Sequence, residues 1–166
     1  RRSFIAGKHT RLLTGRKEFN SRKGGVTTLM QKLASRGMMT YMVGKWHAGY
    51  ASWMSTPVGR GVHRFFGHHE NTAGYSSPCA ADDKGGGFDY HYVEATPFES
   101  EFASFDAPHY RAGHEVIGRY IHDVYDEKVA QFMSDHSRLH RAKGMFLYLA
   151  SNAYRGAAEG PVVPHP

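Results

Sequence analysis

One unit occurs twice in this sequence, a helix-like stretch followed by a short run that reads as a buried strand, and it restricts the fold more than any other feature. In residues 26–37 (VTTLMQKLASRG) a threonine cap precedes Leu29, Met30 and Leu33 at helical spacing, and Gly37 stops the pattern. Residues 38–43 (MMTYMV) follow as a buried strand ended by Gly44. In the second copy, residues 117–136 carry Ile117, Tyr120, Ile121, Val124, Val129, Phe132 and Met133 on a helical stripe. A basic turn then leads into residues 145–150 (MFLYLA), another apolar run of strand length. A strand apolar on both faces needs cover on both, which parallel sheets obtain from their crossover helices. The expectation is an α/β fold, a mainly parallel sheet flanked by helices.

The stretch between the two units has a different character. Residues 49 to about 113 are rich in Gly, Ser, Pro, His and aromatics, with Gly85-Gly86-Gly87 at their centre. They read as a long loop-rich insertion with a short hairpin, and loops of that length inside a domain are commonly functional. Hydrophobic residues make up 40% and charged residues 22% of the 166, a globular balance for one domain. The net charge of +6 suits anionic partners, with solubility the blander and preferred account. Its two basic clusters, Arg11 to Lys23 and Arg138 to Lys143, lack interleaved aromatics, so no nucleic acid is expected as a partner. No apolar run approaches the roughly 18 residues of a membrane span. The lone Cys79 gives no disulfide framework. With Arg1 in first place, no signal peptide and a Val162-Val163-Pro164-His165-Pro166 end, the chain reads as truncated at both ends.

Open parallel sheets bind ligands beyond the carboxyl ends of their strands. Chemistry is therefore expected at Gly44-Lys45-Trp46-His47 and at Ser151-Asn152-Ala153-Tyr154-Arg155. Lys45 and His47 lie two apart, which in an extended segment puts both side chains on one face. A fixed cation beside an imidazole suits a site that holds an anion and moves a proton. A surface lysine beside a structural histidine gives the same pattern, so the residues alone leave both readings open.

Residues 43–50, VGKWHAGY, resemble the GKWHLG signature of the type I sulfatases, the arylsulfatase-like family. The surroundings agree in order. Residues 27–37 followed by MTYMVGKWH are similar to the family's TTLPELLKEAGY helix and its strand. PVGRGVHRFFG (57–67) resembles P-x-x-R-G-F-D-x-F-F-G, YIHDVYDEKVAQFMSDH (120–136) resembles a family helix, and MFLYLASNAYRG (145–156) resembles FFLYLAYNAPHTP. The likeness covers nearly the whole chain and is weakest in the middle stretch. It implies the alkaline phosphatase/sulfatase-like fold, incomplete here, with residues 1–166 as the central part of the catalytic domain.

At the start two registers are open. In one, Arg1 to His9 follow the family's Cys-x-Pro-x directly, so Arg1 is the signature arginine and the cysteine that becomes formylglycine is expected four residues upstream. In the other, Leu12-Leu13-Thr14-Gly15-Arg16 is the family's T-G-R turn, Ile5 stands where the cysteine belongs and His9 where the arginine belongs. The first is preferred because it keeps a catalytic arginine and a family-like spacing to Lys45.

What the resemblance implies for individual residues follows from that register. Arg1 would steady the formylglycine, Lys45 would bind sulfate oxygens and stabilise developing negative charge, and His47 would hydrogen-bond the formylglycine hydrate. The histidine that protonates the leaving alcohol in the family is replaced by Arg155, a substrate-binding candidate that cannot serve as a general acid near neutral pH. His165 is a more distant substitute. The expected Ca²⁺ has its ligands outside this chain; Asp82 and Asp83 read as loop acids. His63, His68 and His69, in a Gly-rich stretch, lack the ligand-orienting partners or the Cys pattern of a zinc site, Gly85 to Gly87 lack a phosphate-loop context, and Trp46 and Trp53 read as packing residues.

Two functions follow. The first is a sulfuric ester hydrolase acting on a sulfated small molecule or glycan, secreted or lysosome-like in location, with this piece inactive by itself. The alternative is a degenerate, non-catalytic sulfatase-like domain that binds anionic or sulfated glycans.

Overall fold

The computed structural model describes residues 2–9, 26–50, 53–69, 89–94 and 109–151. A short helix α1 (Arg2–Ala6) is followed by α2 (Leu29–Ala34) and strand β1 (Met39–Gly44). Strands β2 (Arg64–Gly67), β3 (His91–Glu94) and β4 (His109–Ala112) come next, then the long helix α3 (Ile121–Leu139) and β5 (Met145–Ala150). They form one sheet in the order β4-β3-β2-β1-β5. β1 is parallel to both β2 and β5, whereas β3 is antiparallel to β2 and to β4. Four strands thus point one way and β3 alone runs against them.

β1 is central and buried along its whole length, as its largely apolar run requires. Its side chains alternate between two cores. Met39, Tyr41 and Val43 join Phe66, Val124, Tyr125 and Phe132 under α3, while Met42 joins Ile5, Met30, Phe65 and Val93 under α1 and α2. Each fully buried large side chain, such as Phe132, contributes about 2–3 kcal/mol by leaving water. The α3 core also holds a buried cation. The Arg64 guanidinium bonds Asp135 Oδ2 at 2.9 Å and the Tyr92 hydroxyl, and it lies 4.8 Å from the Phe132 ring centre.

The local signals were accurate in kind and displaced at the edges. α2 is shorter than residues 26–37, because Thr28 is its cap: Thr28 Oγ1 accepts the Gln31 N–H at 3.0 Å and Gln31 Oε1 accepts the Thr28 N–H at 2.9 Å. Tyr120 is extended (φ −70°, ψ 124°), so α3 starts after it, and a 3₁₀ turn at His114–Val116 precedes it. Ile117 and Met133, assigned to the helical stripe, are more than half exposed. The largest difference lies in residues 49–113, read as long loops with a hairpin. The described parts of that stretch supply three of the five strands, β2, β3 and β4. Their short runs, such as RFFG, buried at every position, and HYVE, buried only at Val93, are made strands by neighbours that sequence spacing does not display.

Candidate active site

The carboxyl ends of β2, β1 and β5 converge on two glycines. Gly44 has φ +104°, and a Cβ there would sit 2.5 Å from the Ala150 carbonyl oxygen; Gly67, at φ +154°, presses in the same way on the Gly44 carbonyl. Only glycine lets three backbones approach this closely in these conformations. Past this constriction the chains stay paired. The Lys45 N–H donates to Ala150 O at 3.0 Å, Trp46 N–H to His68 O at 2.9 Å and His47 N–H to His69 O at 3.0 Å.

Lys45 and His47 therefore leave the end of β1 as expected, but not as an extended segment. His47 has φ +46°, so the alternation rule stops before it. Lys45 is 1% exposed, and His47 is exposed to solvent. Between them Trp46 is fully buried, with Nε1 donating to Gly49 O at 2.8 Å and Ser55 O at 3.0 Å, which pins the turn. Trp46 is thus the packing residue the sequence indicates. Arg1 and Arg155 lie outside the described residues, as do Cys79, Asp82, Asp83, the Gly85 to Gly87 run, Leu12 to Arg16 and His165. Ile5 is buried in the core under α1, and His9 is exposed.

The three histidines of the middle stretch have separate fates. His63 is structural: its Nδ1 accepts the Thr40 N–H at 3.0 Å, and burial, with Lys143 and His140 adding to it, pushes its imidazole down to about 4. His68 is fully buried, with Nδ1 3.2 Å from the Tyr125 hydroxyl of α3. His69 belongs to a cluster that sequence reasoning missed. The β2–β3 register sets Gly67 opposite His91. Continuing it brings His69 opposite Asp89, with His91 diagonal to it on the same face. His69 N–H donates to Asp89 Oδ1 at 3.2 Å, and His91 Nε2 lies 3.1 Å from the same oxygen. The His69 and His91 rings stack at 4.7 Å. Burial foremost, then His91, lowers the His69 imidazole to about 4 against the pull of Asp89, so it is neutral at pH 7.

One ligand atom from each of His69, Asp89 and His91 lies within 4.8 Å of the others. Among the described residues this is the one such group, and it does not fit Ca²⁺, a hard cation that takes six to eight oxygen ligands. The D-x-H spacing of Asp89 and His91 was the available signal; it had no meaning until strand pairing brought His69 to it.

The sulfatase family model matches residues 6–154. The chain belongs to the sulfatase family. Arylsulfatase J of Mus musculus is 30% identical to it over 135 residues, which are 81% of this chain and 20% of that protein. This sulfatase chain accordingly spans about a fifth of that relative's length. Among solved structures, Ps i-CgsB matches with a TM-score of 0.61 at 16% identity, covering 95% of this chain and 35% of that one. Ps i-CgsB in complex with k-i-k-neocarrahexaose matches with a TM-score of 0.57 at 18% identity, covering 92% and 33%. At these identities the two structures establish the fold of the sulfatase chain: a mainly parallel α/β sheet flanked by helices.

Proposed function

We propose that the protein binds and hydrolyses sulfate esters, with Lys45 holding a sulfate oxygen and His47 moving a proton beside it. The supporting observation is the pairing of Lys45 N–H with Ala150 O at 3.0 Å. The segments that carry Lys45 and Arg155 leave adjacent parallel strands at the same end, where a ligand of an open sheet binds. Lys45 is 1% exposed, so a sulfate reaches its ammonium only once the groups covering it give way; the contact then forms with little intervening water, where it is stronger than at the surface. His47, exposed at the rim, is open to an incoming ester. Arg155 adds a second cation for the substrate, and Arg1 steadies the nucleophile in the preferred register. The formylglycine and Ca²⁺ that the family resemblance implies would supply the nucleophile and its activating charge; the described residues provide neither.

The substrate class is a sulfated small molecule or glycan. Ps i-CgsB, with its bound oligosaccharide, supports the glycan choice. A secreted or lysosome-like location accords with such substrates. The test is turnover of p-nitrocatechol sulfate and of a sulfated oligosaccharide by the native protein. Lys45→Ala should lower kcat/KM by about 10²–10³, the usual loss for one charge-stabilising donor. The 166-residue chain alone should be silent. Undiminished turnover in Lys45→Ala refutes the site. Tight oligosaccharide binding by the native protein without turnover would establish the non-catalytic reading instead.

A further inference from the structure

We propose that His69, Asp89 and His91 form a binding site for a divalent transition-metal ion of the zinc class, at the sheet end beside the Lys45–His47 turn. Two imidazoles and one carboxylate are a borderline donor set that Zn²⁺, Co²⁺ or Ni²⁺ prefers, as Ca²⁺ and Mg²⁺ do not. Three protein ligands also leave a coordination position for water or an anionic oxygen.

The geometry supports this in three ways. First, the ligands sit on rigid backbone: His91 lies on β3, His69 is held by the Trp46–His68 and His47–His69 backbone bonds, and Asp89 Oδ1 is fixed by the His69 N–H at 3.2 Å. Second, the His69 ring is 6% exposed and closes no hydrogen bond among the described residues. Its Nδ1 stands 4.0 Å from Asp89 Oδ1, and its Nε2 is buried with no partner. A cation at Nδ1 would take up the open lone pair that faces Asp89, while Nε2 would carry the ring proton. Third, the spacing is close to what an ion needs. Ligands about 2.0–2.1 Å from zinc in a tetrahedron stand roughly 3.4 Å apart. The 4.0 Å between His69 Nδ1 and Asp89 Oδ1 then has to shrink by about 0.6 Å, within reach of a side-chain adjustment.

Stacking holds the His69 ring in place for this. Phe65 lies 5.4 Å and Tyr50 6.0 Å from it, both nearly parallel. A hydrogen-bonded polar cluster with no ion is the simpler account of Asp89 and His91, but it leaves His69 unexplained. Binding is read without any turnover, so the proposal stands or falls apart from the sulfatase reading.

The native protein, stripped with chelator, is titrated with Zn²⁺ by calorimetry and with Co²⁺ by visible absorption. The expected result is one ion per chain with micromolar or tighter affinity and a low-symmetry Co²⁺ spectrum. Asp89→Asn and His91→Gln should each weaken binding at least 100-fold, with circular dichroism unchanged. His9→Ala and His114→Ala, at exposed histidines, should leave it intact. Should a variant unfold, Co²⁺-induced paramagnetic shifts of the His69 and His91 ring protons in the unaltered protein decide the matter. Shifts confined to other histidines, undiminished binding in the Asp89→Asn/His91→Gln double variant, or no uptake by the folded protein would overturn the proposal.

Discussion

Acidification should destabilise this fold through His63 in particular, by an amount the structure allows to be estimated. His63 Nδ1 accepts the Thr40 N–H at 3.0 Å, so it is an unprotonated acceptor in the native state. Burial, reinforced by Lys143 and His140, lowers its imidazole from 6.5 to about 4. The unfolded chain therefore binds more protons than the native one between those values, and stability rises with pH across the window. The contribution is present above pH 6.5 and is lost as the pH falls towards 4. With these two values, taking the solution from pH 7 to pH 5 costs about 2 kcal/mol from this residue alone. That is a large share of a typical net stability and corresponds to a fall in Tm of roughly 4–8 °C for a chain of this size. The control is His63→Asn, whose side-chain oxygen can still accept the Thr40 N–H but does not titrate. Urea midpoints at pH 7 and pH 5 should show the wild type losing about 2 kcal/mol more than the variant. Equal losses in the two proteins, or a wild type that gains stability on acidification, would refute the argument.

Two further predictions concern backbone architecture. Gly44→Ala should cost about 3 kcal/mol or more, since the new methyl group would lie 2.5 Å from Ala150 O at φ +104°; a thermal melt within 1 °C of wild type would contradict the close approach. Thr28→Ala should cost about 1–2 kcal/mol, because Thr28 Oγ1 both caps α2 and donates to Arg60 O at 2.7 Å, while Thr28→Ser should recover most of the loss in urea unfolding.

The sequence by itself determined the elements that carry their own periodicity and the turn that follows them. MMTYMV and MFLYLA read as buried strands because they are almost entirely apolar, and the structure pairs them in parallel, residue for residue from Met39–Met145 to Gly44–Ala150. Of the two strands only β1 is buried throughout, since β5 lies at the sheet edge with Leu149 43% exposed. The capping threonine, the stop at Gly44 and the position of Lys45 and His47 just beyond it were legible for the same local reason. Tertiary structure alone decided the rest. The strands RFFG and HYVE are too short to declare themselves, and only pairing with β1 and with each other makes them strands. His47 leaves the expected face because the backbone turns to φ +46° around the buried Trp46, a conformation stabilised by hydrogen bonds to Gly49 and Ser55. The grouping of His69 with Asp89 and His91 likewise depends on the antiparallel register of β2 and β3. Residues distant along the chain become neighbours only when strand pairing closes the loop between them, and spacing in sequence carries no record of that register.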